Sequence, residues 1–322
     1  MKIVITGGRG LLGSTIVRQL LSRGHDCVVV QRTPSEIPGT HEILQDLTDS
    51  ECNYSWLAGA DAVIHLAAKV GIVGTQEQFY AANVGATSRL LTAVREQGVP
   101  RFVFASSPSV AHVGSSLMGV GASIAKPDQV RGWYSKTKAI AELEVLAANG
   151  AELSTIALRP HLVWGPGDTQ LIGRIVQRAQ ARRLFLIGGG FSLIDTTYVT
   201  NAAEAFVLAA ESPQAGSGTA LMVSNGEPRM VRELLERICM AAGVAPPTRS
   251  VSFHAALAAG YCVEKAWMSR ESEPPLTSFL VEQLGTAHWF DISQTRELLN
   301  WSPSVSLEQG FMELARAFAN QP

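Results

Sequence analysis

The amino-acid sequence predicts an α/β fold, a Rossmann-type doubly wound parallel sheet with a smaller, mixed C-terminal substrate domain. Three features point there. β-rich runs alternate with helical patterns through the first half, "TGGRGLLG" joins the first strand to the first helix, and "YSKTK" (Tyr134 to Lys138) opens a helix after a strand that ends in two serines. Size agrees with this, since 322 residues with 46% apolar content can bury a sizeable core.

The elements follow in order. "KIVIT", "GGRGLLG", "STIVRQLLSRG" and "HDCVVVQR" read as strand, turn, helix and strand, one βαβ unit. "DAVIHLAA", "RFVFASS" and "LSTIALRP" are further strands, and "QFYAANVGATSRLLTAVREQG" and "YSKTKAIAELEVLAANG" are helices between them. Such alternation places helices on both faces of a parallel sheet. Residues 1–163 are therefore expected to form the dinucleotide-binding domain. The rhythm breaks at "WGPGD", so residues 164–322 are assigned mainly to substrate binding, with 195–225 returning to the sheet through "TYVTNAAEAFVLAAES" and "ALMVS". The apolar stretch 253–268, "FHAALAAGYCVEKAWM", is too short to cross a membrane. It reads first as a core helix, and alternatively as an apolar lid or a peripheral membrane contact.

Charge and cysteine content exclude other classes. With 26 basic and 28 acidic side chains the net charge is -2, which implies no bulk attraction to nucleic acid and favours a small-molecule partner. Cys27, Cys52, Cys239 and Cys262 form no C-x-x-C pair and no metal-ligand spacing with histidine, so reduced thiols and no metal site are expected. The chain enters a strand at its second residue without a signal segment, from which a cytoplasmic location is expected.

Gly7, Gly10 and Gly13 stand three apart between strand and helix, and Leu11 and Leu12 open that helix. Small residues there let the backbone approach a pyrophosphate, while the helix N-terminus supplies N–H donors. Dinucleotide choice is usually decided after the second strand, which here reads "VVVQRT". Gln31 and Arg32 offer no carboxylate for a ribose hydroxyl, whereas Arg32 and Arg9 suit a 2′-phosphate. NADPH is therefore expected over NADH. Asp46 and Leu47 of "LQDLTD" are placed at the adenine, and Leu66, Ala67, Ala68 and Lys69 at a strand end where the cofactor lies close.

Ser106 and Ser107 end the strand "RFVFASS", where side chains project into the ligand crevice of such sheets. Tyr134 and Lys138, four apart on a helix, share a face. Carbonyl reduction needs a proton donor for the developing alkoxide, and Tyr134 suits it. A neighbouring Lys138 ammonium is expected to draw the phenol down from its usual value near 10 and to hold the nicotinamide ribose. A serine hydroxyl then orients the substrate oxygen, and the sequence does not separate Ser106 from Ser107.

"TGGRGLLG", "AANVGATSRLL", "RFVFASS", "YSKTK", "LRPHLVWGPGD" and "TYVTNAAEAF" together resemble the extended short-chain dehydrogenase/reductase superfamily, in its 3β-hydroxysteroid dehydrogenase branch, over nearly the whole chain. Within it, "AAKVG", "SSPSV", "SNGEP" and "PPLTSFLVEQL" followed by "HW" resemble the bacterial 2-alkyl-3-oxoalkanoate reductases of long-chain olefin biosynthesis. This resemblance implies NADPH-dependent reduction of a long-chain 2-alkyl β-keto acid to the hydroxy acid, for a partner enzyme that closes a β-lactone. It implies Ser107, Tyr134 and Lys138 as the reacting set and Asn83 as a supporting residue. Pro160, Leu162 and Val163 fall on the loop that meets the carboxamide. A homodimer is implied as well. A keto acid also needs a group for its carboxylate, and Lys69, His112 and His161 are the candidates.

Three rivals remain at this level. One is a sterol or steroid dehydrogenase of the same fold, against which the missing carboxylate after the second strand counts. Another is a cofactor-binding sensor without turnover, against which the complete Tyr134, Lys138 and serine set counts. The third is a sugar-nucleotide enzyme, for which only the basic helix around Arg174, Arg178, Arg182 and Arg183 speaks.

Overall fold

A computed structural model describes residues 1–71, 73–212, 214–267 and 274–320. Its centre is a seven-stranded, wholly parallel sheet ordered Thr219–Val223, Ser154–Pro160, Arg101–Ala105, Ala62–His65, Lys2–Thr6, Asp26–Gln31 and His41–Leu44. The chain builds outward in one direction from Lys2–Thr6, then crosses to Ala62–His65 and builds the other way. The switch point, where open α/β sheets bind ligands, thus lies between the ends of those two strands.

Alternation within each strand explains why both faces are covered. Ile3 and Ile5 point into one core with Ile16, Leu20 and Phe206, from the helices Leu11–Ser22 and Val199–Glu211. Val4 points the other way, into a second core with Leu90, Val94 and Val145, from the helices Ala86–Glu96 and Trp133–Ala147. Strands buried on both faces read as continuous apolar runs, which is what "IVI" and "CVVV" are. The edge strand His41–Leu44 has no buried residue and no such run, and sequence reading did not anticipate it.

A second group of elements caps the carboxyl ends of the sheet. The short strands Arg229–Met230, Leu193–Ile194, His288–Phe290 and Leu117–Val120 form a four-stranded sheet. A separate apolar core of Trp164, Tyr198, Leu235 and Phe311 lies beside it. Strand Thr219–Val223 and helix Val199–Glu211 return to the main sheet and its core.

The stretch 253–268 is not a core helix. Phe253–Trp267 is helical, but only Ala256 and Gly260 in it are buried, and Met268 lies outside the described residues. The helix packs against Ser278–Gly285: a Cβ on Gly260 would stand 2.8 Å from the Ser278 nitrogen, so glycine permits the approach. No described helix is long and apolar enough to cross a membrane.

Candidate active site

The glycine turn is built by steric necessity. Gly7 sits at φ +77°, and a Cβ there would meet the Ala67 nitrogen at 2.9 Å, so the loops ending the two switch-point strands touch through it. A Cβ on Gly13 would stand 2.4 Å from the Gly7 carbonyl oxygen. Gly8, which sequence reading passed over, is equally constrained, because its Cβ would lie 2.5 Å from Val29 Cγ1. Gly10 differs: a Cβ there would meet nothing closer than 3.8 Å. It precedes helix Leu11–Ser22 without any side-chain cap, so the first-turn N–H groups face the crevice uncapped.

A cleft of about 740 Å³ runs from this turn across the switch point, lined by Gly7, Gly10, Arg32, Asp46, Leu66 and Ala67 among others. Arg9, Leu47, Ala68 and Lys69 line it too. Leu11, Leu12 and Gly13 form the helix turn beneath. Arg32 is exposed at the rim, and Arg9 donates to Thr33 Oγ1 beside it at 2.8 Å. Burial would raise the Asp46 carboxyl, but two hydrogen bonds from Thr48 and the Arg32 charge outweigh it, and Asp46 is held below the usual carboxylate range. Gln31 turns away, donating to Glu42 at 2.7 Å. The cleft therefore fits a dinucleotide, with uncapped backbone N–H groups at the glycine turn and the Arg9 and Arg32 guanidinium groups along its lining.

A second cavity of about 690 Å³, lined mostly by apolar groups, joins the first at Val70. Tyr134, Ser107, Pro160, His161 and Leu162 reach it, as does His112. Tyr134 follows Gly132, whose φ of +79° turns the chain into helix Trp133–Ala147. Its hydroxyl pairs with Ser107. Ser107 begins a 3-10 turn, Pro108–Ala111, and its Oγ lies 3.0 Å from Ser109 Oγ. Ser106 is buried instead, with no hydrogen-bond partner for its hydroxyl among the described residues, and does not line the cavity. Val163 lies just beyond, in the strand Val163–Trp164 that pairs with Thr197–Tyr198.

Lys138 lies one helical turn beyond Tyr134, 3% exposed, with its Nζ 3.9 Å from the Phe104 ring centroid. Burial pushes this ammonium down to about 7, against the Glu142 carboxylate that favours its charge. The expected lowering of Tyr134 by Lys138 does not occur. Burial raises the phenol, and its Ser107 bond offsets this only in part. The reason is desolvation of both groups, with the ammonium packed on an aromatic face.

Asn83 is a bracket between the two clefts. It sits in a π-helical turn, Ala81–Gly85, inserted between the helices Gln76–Tyr80 and Ala86–Glu96. Its amide accepts from Lys69 N at 2.7 Å and donates to Lys69 O at 3.1 Å and Thr137 Oγ1 at 3.0 Å. Thr137, in the tyrosine helix, was missed in the sequence, although it lies inside "YSKTK". Lys69 itself faces the dinucleotide cleft, with its ammonium over the Phe79 ring at 5.2 Å, and does not line the apolar cavity. Among the described residues, no group of three or more His, Cys, Asp or Glu side chains is arranged to hold a metal.

A dinucleotide crevice at a switch point, continuous with an apolar cavity where a tyrosine and a serine meet, defines a nicotinamide-dependent oxidoreductase of the short-chain dehydrogenase/reductase kind. Residues 4–253 match the 3-beta hydroxysteroid dehydrogenase/isomerase family, and the chain belongs to it. It is similar to a 2-alkyl-3-oxoalkanoate reductase of Stenotrophomonas maltophilia, 40% identical over 99% of this chain and 100% of the relative. A protein of the same name from Shewanella oneidensis is 32% identical over 96% and 84%. Among solved structures, MoeE5 in complex with UDP-glucuronic acid and NAD superposes with a TM-score of 0.76, at 27% identity, covering 99% of each chain. The chain is accordingly an enzyme with a reductase role that uses a nicotinamide cofactor.

Proposed function

We propose that the protein reduces a 2-alkyl-3-oxoalkanoic acid to the 2-alkyl-3-hydroxyalkanoic acid with NADPH, at Tyr134, Ser107 and Lys138. The observation that carries this reading is the Tyr134 hydroxyl, paired with Ser107 on an apolar cavity that opens into the dinucleotide cleft. The full-length similarity to two reductases of that name supports the substrate class.

Ser107 and Tyr134 hydroxyls donate to the C3 carbonyl oxygen and fix it in the cavity. Bound in the adjoining cleft, the nicotinamide supplies the hydride to C3. As charge develops on the oxygen, Tyr134 gives up its proton. Burial keeps this phenol protonated at neutral pH, the form needed for donation. Lys138, brought down to about 7, is poised to return a proton toward the phenolate near neutral pH. Asn83 keeps the Lys69 backbone and the tyrosine helix in register. Arg32 and Arg9 hold the 2′-phosphate that distinguishes NADPH. The hydroxy acid formed suits an enzyme that activates and closes it to a β-lactone, in an olefin or natural-product route.

The test is a substrate panel with both cofactors. Turnover of a synthetic 2-alkyl-3-oxoalkanoic acid in preference to a 3-ketosteroid is expected, with higher kcat/KM for NADPH than for NADH. Loss of that preference is expected in Arg32→Ala. Turnover of the steroid alone would overturn the substrate, and an NADH preference would overturn the assignment of Arg32.

A further inference from the structure

Three histidines from separate parts of the chain meet on the apolar cavity, and the reduction steps use none of them. His112 follows the 3-10 turn Pro108–Ala111, His161 follows strand Ser154–Pro160, and His288 begins strand His288–Phe290. All three line the cavity and are at most 5% exposed. The ring centroids of His112 and His288 are 4.6 Å apart, and those of His161 and His288 are 6.3 Å apart. His288 was not singled out in the sequence, although it begins the "HW" pair.

Gln283 Nε2 lies 3.5 Å from His112 Nδ1, and the other polar ring contacts are to oxygens or to one another. His112 Nε2 lies 3.0 Å from the Ser115 carbonyl and 3.0 Å from His288 Nε2. His288 Nε2 also lies 3.1 Å from Thr286 Oγ1, whose own hydrogen goes to the Glu282 carbonyl at 2.6 Å. The Nδ1 atoms of His161 and His288 are closed to solvent, and the Asp195 and Gln283 backbones lie beside the two rings. Both side chains reach the cavity. Burial holds His161 down to about 3 and His288 down to about 4, so the free cluster is neutral at pH 7.

The charged groups nearby are already engaged. Arg131 pairs with Glu282. Glu264 accepts from the Ser278 backbone at 2.9 Å, and Asp195, whose backbone faces His161, accepts from Ser224 at 2.6 Å. Lys69 lies in the other cleft.

We propose that His161 and His288, backed by His112, form a proton-coupled site for the carboxyl group of the substrate. This rests on the reading of the substrate as an acid. A carboxylate entering alone would face neutral rings in a desolvated pocket. Entering with one proton, it meets the cluster without an uncompensated charge, either as a carboxylic acid donating to one of the rings or as a carboxylate beside one imidazolium. Binding therefore takes up a proton from neutral solution. Affinity for the acid falls about tenfold per pH unit above pH 7, while that for an ester does not.

The test uses a chemically stable pair, a 2-alkyl-3-hydroxyalkanoic acid and its methyl ester, oxidised by the full chain with NADP⁺. The kcat/KM ratio of acid to ester is expected to fall about tenfold per pH unit, and to drop at least tenfold in His161→Asn and His288→Asn. A second measurement needs no variant and no turnover. A saturated 2-alkylalkanoic acid, added to weakly buffered wild-type protein at pH 7.5 with an indicator dye, should take up one proton per molecule bound, and its methyl ester none. An unchanged ratio in both variants, or binding of the acid without proton uptake, would overturn the proposal. Proton uptake with the saturated acid, but no turnover of acid or ester, would uphold this site and sink the proposed reaction instead.

Discussion

Replacing Glu142 by Gln tests how the reacting helix is anchored. Glu142 and Arg159 are each 1% exposed and joined by two bonds, Arg159 Nε to Oε2 at 2.8 Å and Nη2 to Oε1 at 2.5 Å. They tie helix Trp133–Ala147 to strand Ser154–Pro160 beneath it. Glu142→Gln keeps the shape but leaves the guanidinium buried without a counter-charge, and breaking a buried pair from one side costs roughly 3–5 kcal/mol. With an unfolding entropy of about 2.1 cal/mol/K per residue, a chain of 322 residues should lose roughly 4–7 °C in Tm. The variant also removes the charge that favours the Lys138 ammonium, so Lys138, now at about 7, should titrate lower still. Urea and thermal unfolding read the first effect, and NMR of labelled lysine reads the second. Glu142→Leu combined with Arg159→Met should lose less than either single change, since it removes both charges together. A loss below about 1 kcal/mol for Glu142→Gln, or a double variant as unstable as the sum of the singles, would refute this reasoning.

Two further outcomes follow from the same geometry. Gly13→Ala places a methyl 2.4 Å from the Gly7 carbonyl, so nicotinamide dinucleotide binding, followed by fluorescence titration, should weaken at least tenfold, and unchanged binding would contradict the account of the turn. His65 is buried between Thr6 and Thr87 and held down to about 3, against 6.5 when unfolded. The unfolded chain therefore binds that proton first, and stability is lost as the pH falls from 6.5 toward 3. By pH 5 the loss is about 2 kcal/mol, and His65→Gln should remove that part of the pH dependence, as read by urea unfolding at pH 7 and pH 5.

Much of this was legible because the relevant signals are local. "KIVITGG" encodes strand and turn through apolar residues buried on both faces and glycines that admit no Cβ, and Tyr134 and Lys138 share a helix by spacing alone. What was hidden depends on distant contacts. Ser107 separates from Ser106 only because Pro108 starts a turn that aims one hydroxyl at the cavity and leaves the other in the core. His112, His161 and His288 lie far apart in sequence and converge only after the short strands assemble. The pKa of Tyr134 went the other way because burial, which no spacing reports, outweighs its hydrogen bond with Ser107. The stretch 253–268 has core composition, but its described part, Phe253–Trp267, lies on another helix with most of one side exposed.

The most direct test of the central claim follows the transferred hydride. Wild-type protein and Tyr134→Phe would be given 2-alkyl-3-oxoalkanoic acid with NADPH deuterated at the nicotinamide C4, and the product analysed by mass spectrometry. One deuterium at C3 of the hydroxy acid is expected from the wild type, with at least a hundredfold slower formation by Tyr134→Phe and unchanged NADPH binding. Product formed at an undiminished rate by Tyr134→Phe, or no labelled hydroxy acid from a wild type that binds NADPH, would contradict the account.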